Sequence, residues 1–156
     1  MNKKTKQVSA LIERGNQFME AGELEEAKSC FEAACKQDET SALALLGLGT
    51  VHYQQENDNS AAQALSKASR LAPDIPEIWN NLGSCLGRVG KTRKAIIAFK
   101  KVIVLQPDHA PAALNIGRLH LGNGDARTAE RWLLQATQSR PSHGETLILL
   151  AESRIA

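Results

Sequence analysis

Three thiols, two of the four imidazoles and two runs of basic side chains are the groups in this sequence most able to do chemistry, and their spacing argues against most of it. Cys30, Cys35 and Cys85 form no CxxC pair, and an odd count cannot close into disulfides within one chain. Such thiols fit a reducing compartment, and the cytoplasm is the expected location. Cys30 and Cys35, five apart on a helix, do not share a face; all three are expected to be buried and inert. His52 and His120 stand 68 residues apart, which is two lengths of the period described below, so their match needs no metal to explain it. There is no glycine-rich phosphate loop, GxSxG elbow, HExxH or paired Cys/His spacing. The chain is therefore expected to be no enzyme, and to need neither metal nor cofactor.

The basic runs are Lys3, Lys4 and Lys6 near the start, and Arg88, Lys91, Arg93, Lys94, Lys100 and Lys101 further on. No aromatic residue interleaves them for base stacking. The net charge of +2 comes from 19 basic and 17 acidic residues that mostly alternate, as on a wetted helical surface. Nucleic acid is not an expected partner. Glu13 and Arg14 interrupt the early segment before a signal-peptide core develops, and no apolar stretch approaches a membrane span, so no membrane partner is expected either.

What must position any site is a 34-residue period. Gly15, Gly49, Gly83 and Gly117 keep it, as do Ala27, Ala61, Ala95 and Ala129; Pro73, Pro107 and Pro141 close three units in the same register, with Glu39 at that place in the first. Each unit reads as two helices, A then B, joined by a tight turn. Glycine on helix A and alanine on helix B let the pair approach closely, with Phe31, Leu65, Phe99 and Leu133 filling the space beside that contact. Gly22, Gly90 and Gly124 supply the positive φ that ends helix A, Thr92 and Asp125 are expected N-caps, and the proline redirects the chain after helix B.

The run Trp79-x-x-Leu82-Gly83-x-x-Leu86, with Ala95, Phe99 and Pro107, resembles the tetratricopeptide repeat. His52 and His120, at a place usually aromatic, and Val102, for a usual alanine, depart from it. The resemblance implies an all-α, right-handed solenoid of tandem helix-turn-helix units: a flexible basic tail at 1–7, repeats at 8–41, 42–75, 76–109 and 110–143, and a capping helix or the start of a fifth unit at 144–156. Leu147, Ile148, Leu149 and Leu150 are consecutive in that last segment, too apolar for a cap with one wet face. Either the natural chain continues into a helix B, or a ligand or second subunit covers that edge.

The resemblance also implies that the A helices line a concave groove. The residues then expected to face a partner are Asn16, Leu46, Thr50, Tyr53, Asn80, Asn81, Ser84, Leu114, Asn115, Arg118, Ile148 and Leu149. Asn81 and Asn115 hold the same place in successive units. Carboxamides carry donors and an acceptor, so a row of them can pair with an extended peptide backbone without reading side chains. That pair is similar to the asparagine ladder of the repeat domain in O-linked N-acetylglucosamine transferase, cut to two rungs because Glu13, Gly47 and Leu149 break it. The two-carboxylate clamp of chaperone-binding repeats is not matched: Ile12, Glu77 and Asn81 stand where that pattern wants lysine, lysine and arginine.

A protein-interaction module follows: an adaptor, scaffold or small chaperone holding an extended or helical segment with apolar anchors. The alternative is the substrate-recruiting leading segment of a larger enzyme such as a glycosyltransferase or sulfotransferase. Self-association through the last helix is a further expectation.

Overall fold

The computed structural model describes residues 3–139 and 144–155, and these form helices joined by short turns, with no strand among them. Helix α1 (Lys3–Ala21) pairs with α2 (Leu24–Gln37), α3 (Ala42–Gln54) with α4 (Asp58–Leu71), α5 (Pro76–Arg88) with α6 (Thr92–Leu105), and α7 (Ala110–Gly122) with α8 (Ala126–Ser139); α9 (Gly144–Ile155) follows. The all-α architecture is the one the period requires, and each pair falls within one 34-residue unit except that α1 begins ahead of the first. No helix among the described residues is long and apolar enough to cross a membrane.

Local chemistry shifts two expected boundaries. Lys3 to Gln7, expected as a tail, extend α1. Thr92 is the first residue of α6 rather than its cap; Lys91 takes the cap position and makes no side-chain bond there. Asp125 does cap α8, its Oδ1 accepting from the Thr128 N–H at 3.1 Å. Pro141, expected to close the fourth unit, lies outside the described residues. Gly22, Gly90 and Gly124 end their helices at φ 79°, 74° and 75°, while Glu56 holds the equivalent place in the second unit at φ 61°.

Packing within a unit is tighter than the paired small residues suggested. Glycine on helix A lies directly against the bulky residue of helix B, with the Ala129 carbonyl next nearest at Gly117. A Cβ added to Gly83 would stand 2.8 Å from Cε1 of Phe99, and one on Gly117 would stand 2.7 Å from Cγ of Leu133. Phe31 is held from two sides, by Gly15 of its own unit and by Gly47 of the next.

Between units, the backbones of successive A helices approach each other closely, while those of successive B helices stay apart. Layers that approach on one side and separate on the other must curve, so the A helices form the inner surface. The largest apolar cluster joins the second and third units and reaches Ala112 and Ile116 of α7. A second joins α7, α8 and Leu150 of α9. Two small clusters, around Val8 and around Phe31, hold the first unit.

A candidate peptide groove on the inner face

Two depressions lie along the inner surface, and each draws on three successive A helices. The first, of about 310 Å³, is lined by Tyr53 of α3, Ser84, Gly87 and Arg88 of α5, and Asn115, Arg118 and Leu119 of α7, with Gly83 and Phe99 also contributing. Arg88 forms its wall. Its guanidinium grips the Asp58 carboxylate through Nε at 2.9 Å and Nη2 at 2.8 Å, and lies 4.2 Å from the centroid of the Tyr53 ring. A fork held this way is fixed before any ligand arrives. Arg118 is different: its side chain is half exposed and pairs with Glu145 of α9, an ion pair that a competing anion can replace.

The second depression, of about 240 Å³, combines aliphatic side chains with a polar edge. Ile12 and Met19 of α1 and Leu43 and Leu46 of α3 line it together with Phe31 and Gly47, and its polar edge is Asn16, Thr50 and Glu77. Between the two stands a small hydrogen-bonded bridge. Asn81 Nδ2 donates to Thr50 Oγ1 at 3.1 Å, and the Thr50 hydroxyl donates to the Leu46 carbonyl at 2.9 Å.

The residues read from the sequence as groove-facing therefore divide. Tyr53, Ser84, Asn115 and Arg118 meet at one depression, and Asn16, Leu46 and Thr50 meet at the other. Asn80 and Asn81 are half-buried neighbours of the bridge, the Asn80 amide donating to Asn81 Oδ1 at 3.5 Å. The two amide rungs are thus unequal: Asn81 is engaged with α3, whereas Asn115 makes no hydrogen bond among the described residues. Leu114 does not reach the groove. It is buried against Ala113, Leu133 and Leu150, because α9 covers its place in the unit. Leu46, at the same place one pair of units earlier, is likewise 8% exposed and contributes only an edge. Ile148 repeats that place on α9, where no following helix is described, and is 61% exposed; Leu149 is half-buried.

Several participants carry no signal in a lone unit. Arg88 and Asp58 are 30 residues apart and find each other only when two units stack. Gly87 and Leu119 line the polar depression, yet a small and an aliphatic residue on an A helix look like packing. Gly47 lies outside the glycine period, and its signal was there to find: it breaks the amide row where Phe31 needs room.

The chemistry behind the groove is quiet. Cys85 is fully buried, and burial pushes its thiol up to about 11; the nearby Asp58 charge adds to the rise and Arg88 opposes it. Burial also raises Cys35. All three cysteines are free thiols. His52 is held below its usual range by burial first and by Lys28 second, and His120 Nδ1 lies 3.2 Å from the Asp125 carboxylate. The two imidazoles thus have separate local settings. No group of three or more His, Cys, Asp or Glu side chains among the described residues is placed to hold a metal.

Comparisons with known proteins agree with this geometry. Two family models, both described as tetratricopeptide repeat, match residues 12–76 and 76–109. The chain is 32% identical over 109 residues to the BBSome complex member BBS4 homolog of Drosophila melanogaster, covering 68% of this chain and 22% of that protein. It is 30% identical over 91 residues to the peroxisomal targeting signal receptor of Kluyveromyces lactis, covering 58% and 16%. The chain thus spans about a fifth or less of the length of these curated relatives. Among solved structures, that of the MamA protein superposes with a TM-score of 0.91 at 19% identity, over 97% of this chain and 82% of that one; at that identity the likeness speaks for the fold. Stacked units whose glycines seat the next helix's bulky side chain, an inner A-helix surface and the matching family models lead to one conclusion: this chain belongs to the tetratricopeptide repeat family.

Proposed function

We propose that the chain is a protein-interaction module whose inner groove holds an extended segment of a partner, with an apolar residue seated among Ile12, Met19 and Leu43 and a carboxylate or amide-rich stretch beside Asn115 and Arg118. The observation that carries this reading is the pairing of two depressions, each built by three successive A helices, one edged by Asn115, Arg88 and Arg118 and the other by Ile12, Met19 and Leu43. Leu43 is 53% exposed in the second, and Arg88 is already fixed beside the first, so the ordering cost on binding is small there. The unengaged Asn115 carboxamide supplies donors and an acceptor for a peptide backbone. The free thiols fit a reducing compartment such as the cytoplasm. An adaptor or small chaperone is the form of this module we propose.

The test is selection of a random peptide library on the intact chain, followed by binding of the selected peptides to a Tyr53→Ala/Asn115→Ala variant and to Leu43→Ser. Affinity should fall about tenfold or more for each, at unchanged helicity; a bidentate amide contact and an apolar anchor are each of that order. Equal binding by a folded variant would remove the groove from the function.

A second reading rests on α9. Leu147, Ile148, Ala151 and Ile155 share one outward stripe, with Ile155 86% exposed. Ala151 holds the place of the glycine that helix A of each complete unit turns toward its helix B, Ile148 and Ile155 hold the places of Leu114 and Tyr53, and a second copy of the chain is the occupant we assign to this stripe. Sedimentation should show a mass above that of one chain that returns to one chain in Ile148→Glu/Ile155→Glu. A single-chain mass in the unaltered protein refutes it.

A further inference from the structure

The splaying of the B helices leaves a second groove, on the side opposite the peptide groove. Between α4 and α6 lies a recess of about 390 Å³ whose floor and walls are Ala62, Trp79, Leu82, Leu86, Ile97 and Ala98. Ile97 is 66% exposed at its mouth, and Val104, seven residues on and so on the same face of α6, is 73% exposed. Two turns of helix separate them, about 10 Å. The Trp79 indole N–H is already spent on the Pro73 carbonyl at 2.9 Å, so the ring offers the recess its carbons.

The charge around this recess has one sign. Helix α6 carries Arg93, Lys94, Lys100 and Lys101 and no acidic residue, and Lys91 stands at its cap. Lys91 and Lys94 edge the recess directly; its other edge, Asn59, Gln63 and Ser66 of α4, is neutral. Among the described residues no carboxylate pairs with Lys91, Arg93, Lys94 or Lys101. Helices α2 and α4 begin with Glu25, Glu26 and Asp58, whereas α6 begins with cations at the end where its backbone dipole is already positive. Among the described residues, then, no carboxylate neutralises these four cations in place.

We infer that the α4–α6 recess docks an acidic amphipathic helix from a partner protein, its apolar side chains entering over Trp79 and Ile97 and its carboxylates meeting Lys91, Lys94 and Lys101. Charge complementarity selects an acidic partner. The shape selects a helix: a trough between two splayed helices, with apolar positions one heptad apart on one wall, accepts a third helix along its length. A flat anionic bilayer would not reach the floor, and a nucleic acid would find no free aromatic face to stack on besides the one at the bottom of the trough. This surface is separate from the inner groove, and neither needs the other occupied.

The experiment uses the full chain labelled with 5-fluorotryptophan, which has two indoles, Trp79 and Trp132, and a synthetic 20-residue helix with leucines every three to four residues and glutamates flanking them. Titration should move the Trp79 fluorine resonance saturably and leave that of Trp132 in place. Ile97→Glu/Lys94→Glu, both on exposed positions, should weaken binding tenfold or more, and Asn115→Ala should not change it. Raising salt should weaken it as well. The inference is overturned if the Trp79 resonance does not saturate, if the double variant binds equally, or if a peptide with serine for every leucine binds as well. It is also overturned if phosphatidylserine vesicles or a single-stranded RNA displace the peptide at lower concentration than the peptide displaces them.

Discussion

Gly47→Ala isolates one close contact in the junction of the first two units, that of Gly47 with the Phe31 ring. A Cβ at Gly47 would come within 2.5 Å of Cδ1 and Cζ of Phe31, where ordinary carbon contacts stand at about 3.5–4.0 Å. The ring cannot swing away, because it is fully buried and Gly15 backs its other side. Overpacking of this kind costs about 3 kcal/mol at its upper end, and alanine returns about 1 kcal/mol of helix propensity. The net loss is about 2 kcal/mol, a fall in Tm of about 4–8 °C for a chain of this length. Thermal unfolding by circular dichroism measures it. Gly122→Ala is the control: nothing lies within 4 Å of its added Cβ, so it should raise stability by about 0.4–1 kcal/mol. In Gly47→Ala/Phe31→Leu the two losses should fall short of their sum by about 1–2 kcal/mol, since the smaller side chain relieves the overlap. If Gly47→Ala melts as high as Gly122→Ala, or if the double variant is strictly additive, the wedge does not exist.

Three more outcomes follow from the same geometry. Glu56→Gly should stabilise the chain by about 0.5–1 kcal/mol, the left-handed strain removed less the added freedom of glycine when unfolded, and so raise Tm by about 1–4 °C; a lower Tm would mean that the Glu56 side chain contributes something the backbone does not show. At pH 8 iodoacetamide should alkylate Cys85 at least about a hundredfold more slowly in the native chain than in urea, since burial excludes the reagent and a thiol near 11 holds little thiolate; peptide mapping reads each cysteine, and comparable rates would refute the burial. Because burial depresses His52 in the folded state, the unfolded chain takes up the proton first. The stability tied to a neutral His52 is present above about pH 6.5 and is lost as pH falls below it toward the folded value. Tm should therefore decline between pH 7 and 5.5 in the parent and decline less in His52→Gln; identical slopes would exclude that imidazole.

The fold was legible because its determinants recur. A glycine or alanine every 34 residues says where helices must nest, whatever lies between, and helix pairs then follow from turn chemistry alone. The groove was legible in outline only. The four groove positions Tyr53, Ser84, Asn115 and Arg118, read from the faces of the A helices, line one depression, since facing is a local property of the helix. Whether a groove position is open depends on what the neighbouring unit lays over it, and that is not local. Leu114 is covered by α9 and Asn81 is tied to Thr50, while Ile148 holds the same place as Leu114 and stands in the open. The Arg88–Asp58 fork and the Gly47 wedge belong to unit junctions as well, and a period read one unit at a time passes over them.

The division of the interior into a large central cluster and smaller ones at its flanks has a consequence for how the molecule comes apart. With no single heart, heat or denaturant need not dissolve everything at once: the first unit, joined to its neighbour through two small clusters around Val8 and Phe31, can peel away while the second and third keep their shape. Amides of α4, α5 and α6 should then be the last to exchange with deuterium. Loss of the leading pair of helices would shorten the ribbon and erase the greasy end of its inner trough, leaving the cationic end standing.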